Sequence, residues 1–206
     1  MAYGDFTLEL IEENFGIKNR VGQLFPSVQP VAPSEWLRTT LAQNSGLRLS
    51  SEKAKSEAIV FPILMELRQR NDHFLTVHSG CTLNIAPEKG LNGDGWPLPC
   101  DFILAKDVQS FGINYPIIQI VEAKRGEIEL GVAQCAAQLI GARLFNQKRN
   151  VELPAVYGCV TNGNEWLFLK LADELTIDPK LYFLEHPDEV LGVFQQIIDF
   201  YKSILT

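Results

Sequence analysis

Apolar residues recur along this chain with two spacings, one close to the turn of a helix and one alternating as in a strand. In residues 5–15, Phe6, Leu8, Leu10, Ile11 and Phe15 stand among acids and predict an amphipathic helix. Gly16, Gly22, Pro26 and Pro30 mark residues 16–32 as loop. Ser34 then suits the N-cap of a short helix with Trp36, Leu37 and Leu41 inward, closed by Asn44-Ser45-Gly46. A longer helix runs from Ser50 or Ser51 to about Arg70, with Ile59, Val60, Ile63, Leu64 and Leu67 as its buried stripe. Pro62 lies inside that stripe and should kink or divide it, because proline removes a donor and crowds the preceding turn.

Strand patterns follow. Residues 74–77 and 81–85, joined by Ser79-Gly80, predict a hairpin or one bent strand. Residues 87–98 form a turn-rich loop in which Asp94, set among glycines, reads as a turn former. Residues 101–105 and 117–124 are the next strands, the second apolar on both faces as a central strand should be. A helix over about 130–145 buries Val132, Cys135, Ala136, Leu139 and Ile140. Residues 155–161 and 165–171 form a hairpin about Asn162-Gly163. Val190, Leu191, Phe194, Ile197, Ile198, Tyr201 and Ile204 predict a terminal helix over 187–205 that covers one face. The order α-β-β-β-α-β over 50–171 predicts an α/β fold, a mixed central sheet flanked by helices. Residues 1–49 read as an N-terminal helical extension packed on a core domain of 50–206.

Composition narrows the class without naming a function. With 206 residues, 46% hydrophobic and 21% charged, the chain fits one ordinary soluble domain. No apolar run is long enough to span a bilayer, and Met1-Ala2-Tyr3-Gly4-Asp5 lacks the pattern of a secretory signal, so no membrane partner is expected. Cys81, Cys100, Cys135 and Cys159 are widely spaced, and only His73, His78 and His186 could join them. That argues against zinc and disulfides and for reduced thiols in a cytoplasm. The net charge of −7 opposes binding to a polyanion unless basic residues cluster locally. The clusters available are Lys53 with Lys55, Arg68 with Arg70, Lys124 with Arg125, and Arg143 with Lys148 and Arg149; each also suits a solvated face.

The chemistry concentrates in Val121-Glu122-Ala123-Lys124, at the polar end of the apolar run 117–120. Strand side chains alternate, so Glu122 and Lys124 project from one face. Upstream, Pro99-Cys100-Asp101 opens another strand with an acid at its start. Two carboxylates at neighbouring strand ends repel unless a cation or Lys124 compensates, and they can hold a hard divalent ion.

This arrangement, Pro99…Asp101…Glu122-Ala123-Lys124 on successive strands before a helix, resembles the PD-(D/E)XK nuclease superfamily over residues 50–171. The resemblance implies a restriction-endonuclease-like αβββαβ core and a metal-dependent nuclease acting on phosphodiesters, with DNA the favoured nucleic acid. It implies Mg²⁺ or Mn²⁺ held by Asp101, Glu122 and the carbonyl of Ala123, with Lys124 orienting or helping to deprotonate water. Superfamily members often carry a helix-borne Glu near the metal, for which Glu57 is the candidate here and Glu66 a weaker one. Glu57 reads equally as an exposed helix acid. They also often carry a Gln on the helix after the E-x-K strand. Gln134 and Gln138 share one helix face, with Gln138 slightly favoured, and read equally as a pair of solvent-facing amides. No base-reading motif is present, so cleavage would be weakly specific or depend on a protein partner or a second copy. Two rival classes stand beside this one. A non-catalytic nucleic-acid-binding or assembly protein could keep the fold with Asp101, Glu122 and Lys124 as a salt-bridge cluster. In an interaction protein of unrelated α/β fold, these residues would simply be exposed at a strand end.

Overall fold

A computed structural model of the chain describes residues 6–85, 96–108 and 110–205. Among them, β1 (Asn19–Val21), β2 (Leu75–Ile85), β3 (Trp96–Lys106), β4 (Ile117–Ala123), β5 (Val156–Thr161), β6 (Glu165–Leu171) and β7 (Leu175–Phe183) form one mixed sheet. Its order is β1-β7-β6-β5-β4-β3-β2. Every residue of β4 is buried, as its unbroken apolar pattern requires. β4 pairs antiparallel with β3 and parallel with β5. The parallel step needs a crossover, which α5 (Val132–Gln147) supplies after a 3₁₀ turn at Ile128–Gly131.

Helices cover both faces. One face buries Ile63, Leu64 and Leu67 of α4 (Phe61–Arg70), and Phe194, Ile198 and Tyr201 of α6 (Pro187–Leu205), against Phe102, Val121 and Phe168 of the sheet. On the other, Cys135, Leu139 and Ile140 of α5 pack on Ile103, Ile120 and Val160, with Ile11 of α1 (Leu8–Phe15). The N-terminal third belongs to this body: α2 (Glu35–Asn44) buries Leu37 in the first core, and β1 pairs with β7. Residues 16–32, expected as loop, thus contain an edge strand. β7 was also unforeseen, because Asp178-Pro179-Lys180 interrupts its apolar pattern. The β6–β7 register shifts across this stretch, which places Pro179 where no ladder donor is needed.

Ser51 caps the expected long helix through its hydroxyl and the Ala54 N–H, at 3.1 Å. The helix is not divided at Pro62. α3 (Glu52–Lys55) runs into a π-helical turn (Ser56–Val60) and on into α4. Proline leaves the carbonyl four residues back without its helical donor. That carbonyl, of Ala58, accepts instead from Asn44 Nδ2 at 2.7 Å.

Of the two readings for residues 74–85, the bent strand is the one observed. In the β2–β3 pair, Ser79 faces Phe102 and Cys81 faces Cys100, which puts Gly80 opposite Asp101. Gly80 has φ +65°, a conformation that other residues adopt only at a cost. Leu75 and Phe102 on one side of this point bury in the α4–α6 core, while Leu83, Leu98 and Cys100 beyond it bury in the α5 core. The ribbon changes faces at Gly80 and Asp101. β3 begins at Trp96, inside the segment expected as loop. The rest of that segment, with Asp94, lies outside the described residues.

Candidate active site at the fork between β3 and β4

The β3–β4 ladder runs from Ala105–Ile117 to Phe102–Val121, and beyond it the outer half of β3 turns with β2 toward α5. Asp101 and Glu122 stand at the mouth of this fork. Asp101 Oδ2 accepts the Ala123 N–H at 2.8 Å, so the acid on one strand fixes the backbone at the end of the other. Glu122 is almost wholly buried and points toward α5. Lys124 lies just past the strand, its own N–H on the Thr161 carbonyl at 2.7 Å. Gly131 leaves room for the lysine stem: a Cβ there would come within 3.0 Å of Lys124 Cε and 2.6 Å of Val160 Cγ1.

Both candidate glutamines reach the site. Gln138 Nε2 donates to Glu122 Oε2 at 2.7 Å and to the Pro99 carbonyl at 2.8 Å, tying α5 to both arms of the fork. Gln134 Nε2 donates to Glu122 Oε1, and Gln134 Oε1 accepts from Lys124 Nζ at 2.7 Å. Lys124 Nζ lies 2.6 Å from Glu122 Oε1. Neither amide faces solvent, because both are needed to satisfy a carboxylate that the fold has taken out of water.

Burial dominates the electrostatics. The Glu122 carboxyl is pushed up to about 7, first by desolvation and then by the charge of Asp101, against the pull of Lys124 and Gln138. Asp101 is also raised, chiefly by desolvation and further by Glu52, with the Ala123 N–H and Lys124 opposing. Cys100 and Cys135, next to Glu122, are held as neutral thiols by burial, and all four cysteines are free.

Glu57 lines the same cleft as Asp101, about 470 Å³ between the π turn and the β2–β3 bend. Its side chain is 68% exposed and sits 3.8 Å from Lys53. Glu52, which sequence reasoning passed over, is the helix acid whose charge acts on Asp101. Its signal was its place just after the Ser51 cap. Glu66, the weaker helix candidate, is committed elsewhere. It is buried, accepts the Ser34 N–H at 3.0 Å and Arg70 Nε at 2.7 Å, and fastens α2 to α4 away from the fork.

Among the described residues, no three His, Cys, Asp or Glu side chains form a ready metal cage, and no helix is long and apolar enough to cross a membrane. Magnesium does not require such a cage, since one or two carboxylates with waters suffice. The donor set at the fork is of that kind. Glu122 Oε2 takes one donor, which leaves it acceptor capacity, and burial raises both acids even with Lys124 beside them, so a further cation would favour their ionised forms. Comparisons with protein-family models and with curated proteins gave no match.

Proposed function

We propose that the chain is a metal-dependent nuclease of restriction-endonuclease-like fold, hydrolysing phosphodiester bonds, with DNA the favoured substrate. The observation that carries this reading is the meeting of Asp101, Glu122 and Lys124 at one fork, with Gln138 bridging Glu122 to β3. The element order also supports it: a helix, three antiparallel strands, a crossover helix and a parallel strand.

In this reading Asp101, Glu122 and the carbonyl of Ala123 would hold Mg²⁺ or Mn²⁺. When bound, such an ion supplies positive charge to phosphoryl oxygens and lowers the pKa of water. The chain does the positioning. Gln138 fixes Glu122 Oε2, and the Ala123 N–H fixes Asp101 Oδ2. Lys124 Nζ, steered by Gln134, donates to the nucleophilic water or to a developing negative oxygen. Glu52 is the better placed of the helix acids to order waters near Asp101, and Glu57 stays on the rim.

One observation favours a second reading, a non-catalytic nucleic-acid-binding or assembly protein. Glu122 already accepts from Lys124, Gln134 and Gln138, and such a network can be purely structural. Incubation with plasmid, linear duplex, single strands and RNA in Mg²⁺ or Mn²⁺ separates the two. Cleavage is expected, lost in Lys124→Ala and Glu122→Ala. Millimolar Mg²⁺ should raise the wild-type melting temperature through preferential binding to the folded state, and less so in Asp101→Asn. No cleavage together with an unmoved melting curve selects the non-catalytic reading.

A further inference from the structure

The cleft beside Asp101 has a composition that suits a base better than a phosphate. Its volume, about 470 Å³, falls within the roughly 300–1,000 Å³ of small-ligand pockets, too confined for a duplex. Glu52 and Glu57 join Asp101 in lining it, so a phosphate entering would meet carboxylates. A neutral ring would not be repelled. Phe61 lines it too and remains 39% exposed, although it is the kind of side chain a core normally takes up. Its ring stacks on that of Phe102 at 6.1 Å and 22°, and Phe102 is only 3% exposed. A buried ring thus backs a partly exposed one, a firm platform for a further aromatic plane. Cations stand at the rim: Lys53 on the cleft, and Lys55 with Nζ on the Arg125 carbonyl at 3.1 Å.

We propose that this cleft is a pocket for one unpaired nucleobase, stacked on Phe61 and read through its amino edge by Glu57, while the flanking phosphates lie toward Lys53, Lys55 and Arg125. The proposal rests on the nuclease reading, since it places that base next to Asp101. It names single-stranded or locally opened nucleic acid as the substrate class. A base in a duplex has both faces stacked and its amino group paired, so neither Phe61 nor a carboxylate could reach it. Cytosine N4 and adenine N6 donate to a carboxylate, whereas the edge of thymine places carbonyl oxygens beside its one N–H. Glu57, largely exposed and, among the described residues, paired with Lys53 at 3.8 Å, can turn to that edge.

Fluorescence anisotropy with labelled oligo-dC, oligo-dA, oligo-dT and a duplex, in EDTA and low salt, tests this without requiring turnover. Single strands should bind more tightly than the duplex, and oligo-dC and oligo-dA more tightly than oligo-dT. Phe61→Leu keeps an apolar contact with Phe102 and guards against misfolding; it should weaken oligo-dC binding about tenfold, and Phe61→Tyr should restore it. Glu57→Gln, which can both accept and donate, should erase the preference for dC over dT. Equal binding of single strands and duplex, no effect of Phe61→Leu, or no binding of any oligonucleotide overturns the pocket. The nuclease reading is judged separately. Cleavage in Mg²⁺ that ignores Phe61 sinks the pocket and leaves the nuclease, whereas Phe61-dependent binding by a chain that never cuts does the reverse.

Discussion

Glu122 shows how one residue couples burial to chemistry. Its carboxyl is pushed up to about 7 from an ordinary 4.5, so the folded chain holds a proton that the unfolded chain has released between those values. Stability from this group is therefore complete below about pH 4.5 and is lost as pH rises through 7. The loss can reach ~3 kcal/mol, the cost of ionising an acid beside Asp101 out of water. Glu122→Gln keeps an acceptor for Lys124 and has no titrating proton to lose. Urea unfolding at pH 5 and pH 8 should show a fall in wild-type stability that is much smaller in Glu122→Gln. Equal falls would mean that Glu122 is ionised throughout, held by Lys124 and the two amides. If the fork takes up Mg²⁺, the ion should also reduce the wild-type fall, because it favours the ionised pair.

At the scale of elements, the fork depends on the bend at Gly80 and on the π turn at Ser56–Val60, and the second set a limit on what the sequence disclosed. The strand carrying Glu122 was legible because its apolar run needs two covering layers, and α5 because its small and apolar residues recur at helical spacing. That both glutamines turn inward was not legible. Periodicity places them on one face but cannot say that this face meets a buried carboxylate. Glu52 was missed for a related reason. Five residues of α-helix turn a side chain about 140° away, whereas the π turn that follows Lys55 lets Glu52 and Glu57 line one cleft. Pro62 advertised an irregularity there, but a kink and a π turn look alike in sequence. β1 escaped because a three-residue exposed edge strand buries too little to impose alternation, and β7 because Asp178-Pro179-Lys180 breaks its pattern. The π turn supplies a test of its own. Asn44 satisfies the Ala58 carbonyl that Pro62 leaves without a donor, so Asn44→Ala should cost about 1–2 kcal/mol in chemical denaturation. If the turn also positions Glu52 and Phe61, oligonucleotide binding should weaken alongside. Loss of stability with unchanged binding would confine Asn44 to a structural role.

For the whole molecule, the question is how a chain of net charge −7 would hold a polyanion. Position decides this more than sum, because charges beyond about 8–10 Å are largely screened at physiological salt. Several basic residues are committed elsewhere. Arg70 is tied to Glu66, Arg143 donates to the Ala172 carbonyl at 3.0 Å, and the Arg149 guanidinium lies 3.4 Å from the centre of the Phe145 ring. Arg143 and Arg149 also lie toward the far end of α5, ~14 Å or more along the helix axis from Gln134. Lys53, Lys55, Lys124 and Arg125 are gathered at the fork instead. The comparison of two double variants therefore separates location from net charge, since each removes two positive charges. Lys55→Ala with Arg125→Ala should reduce the slope of log K against log salt by about 1.4 for single strands, ~0.7 for each lost phosphate contact. Arg143→Ala with Arg149→Ala should leave that slope near the wild-type value, with any loss of affinity uniform across salt. Equal slopes for the two variants would mean that nucleic acid does not approach along the fork, and a drop confined to the α5 pair would move the binding face to the opposite end of the sheet.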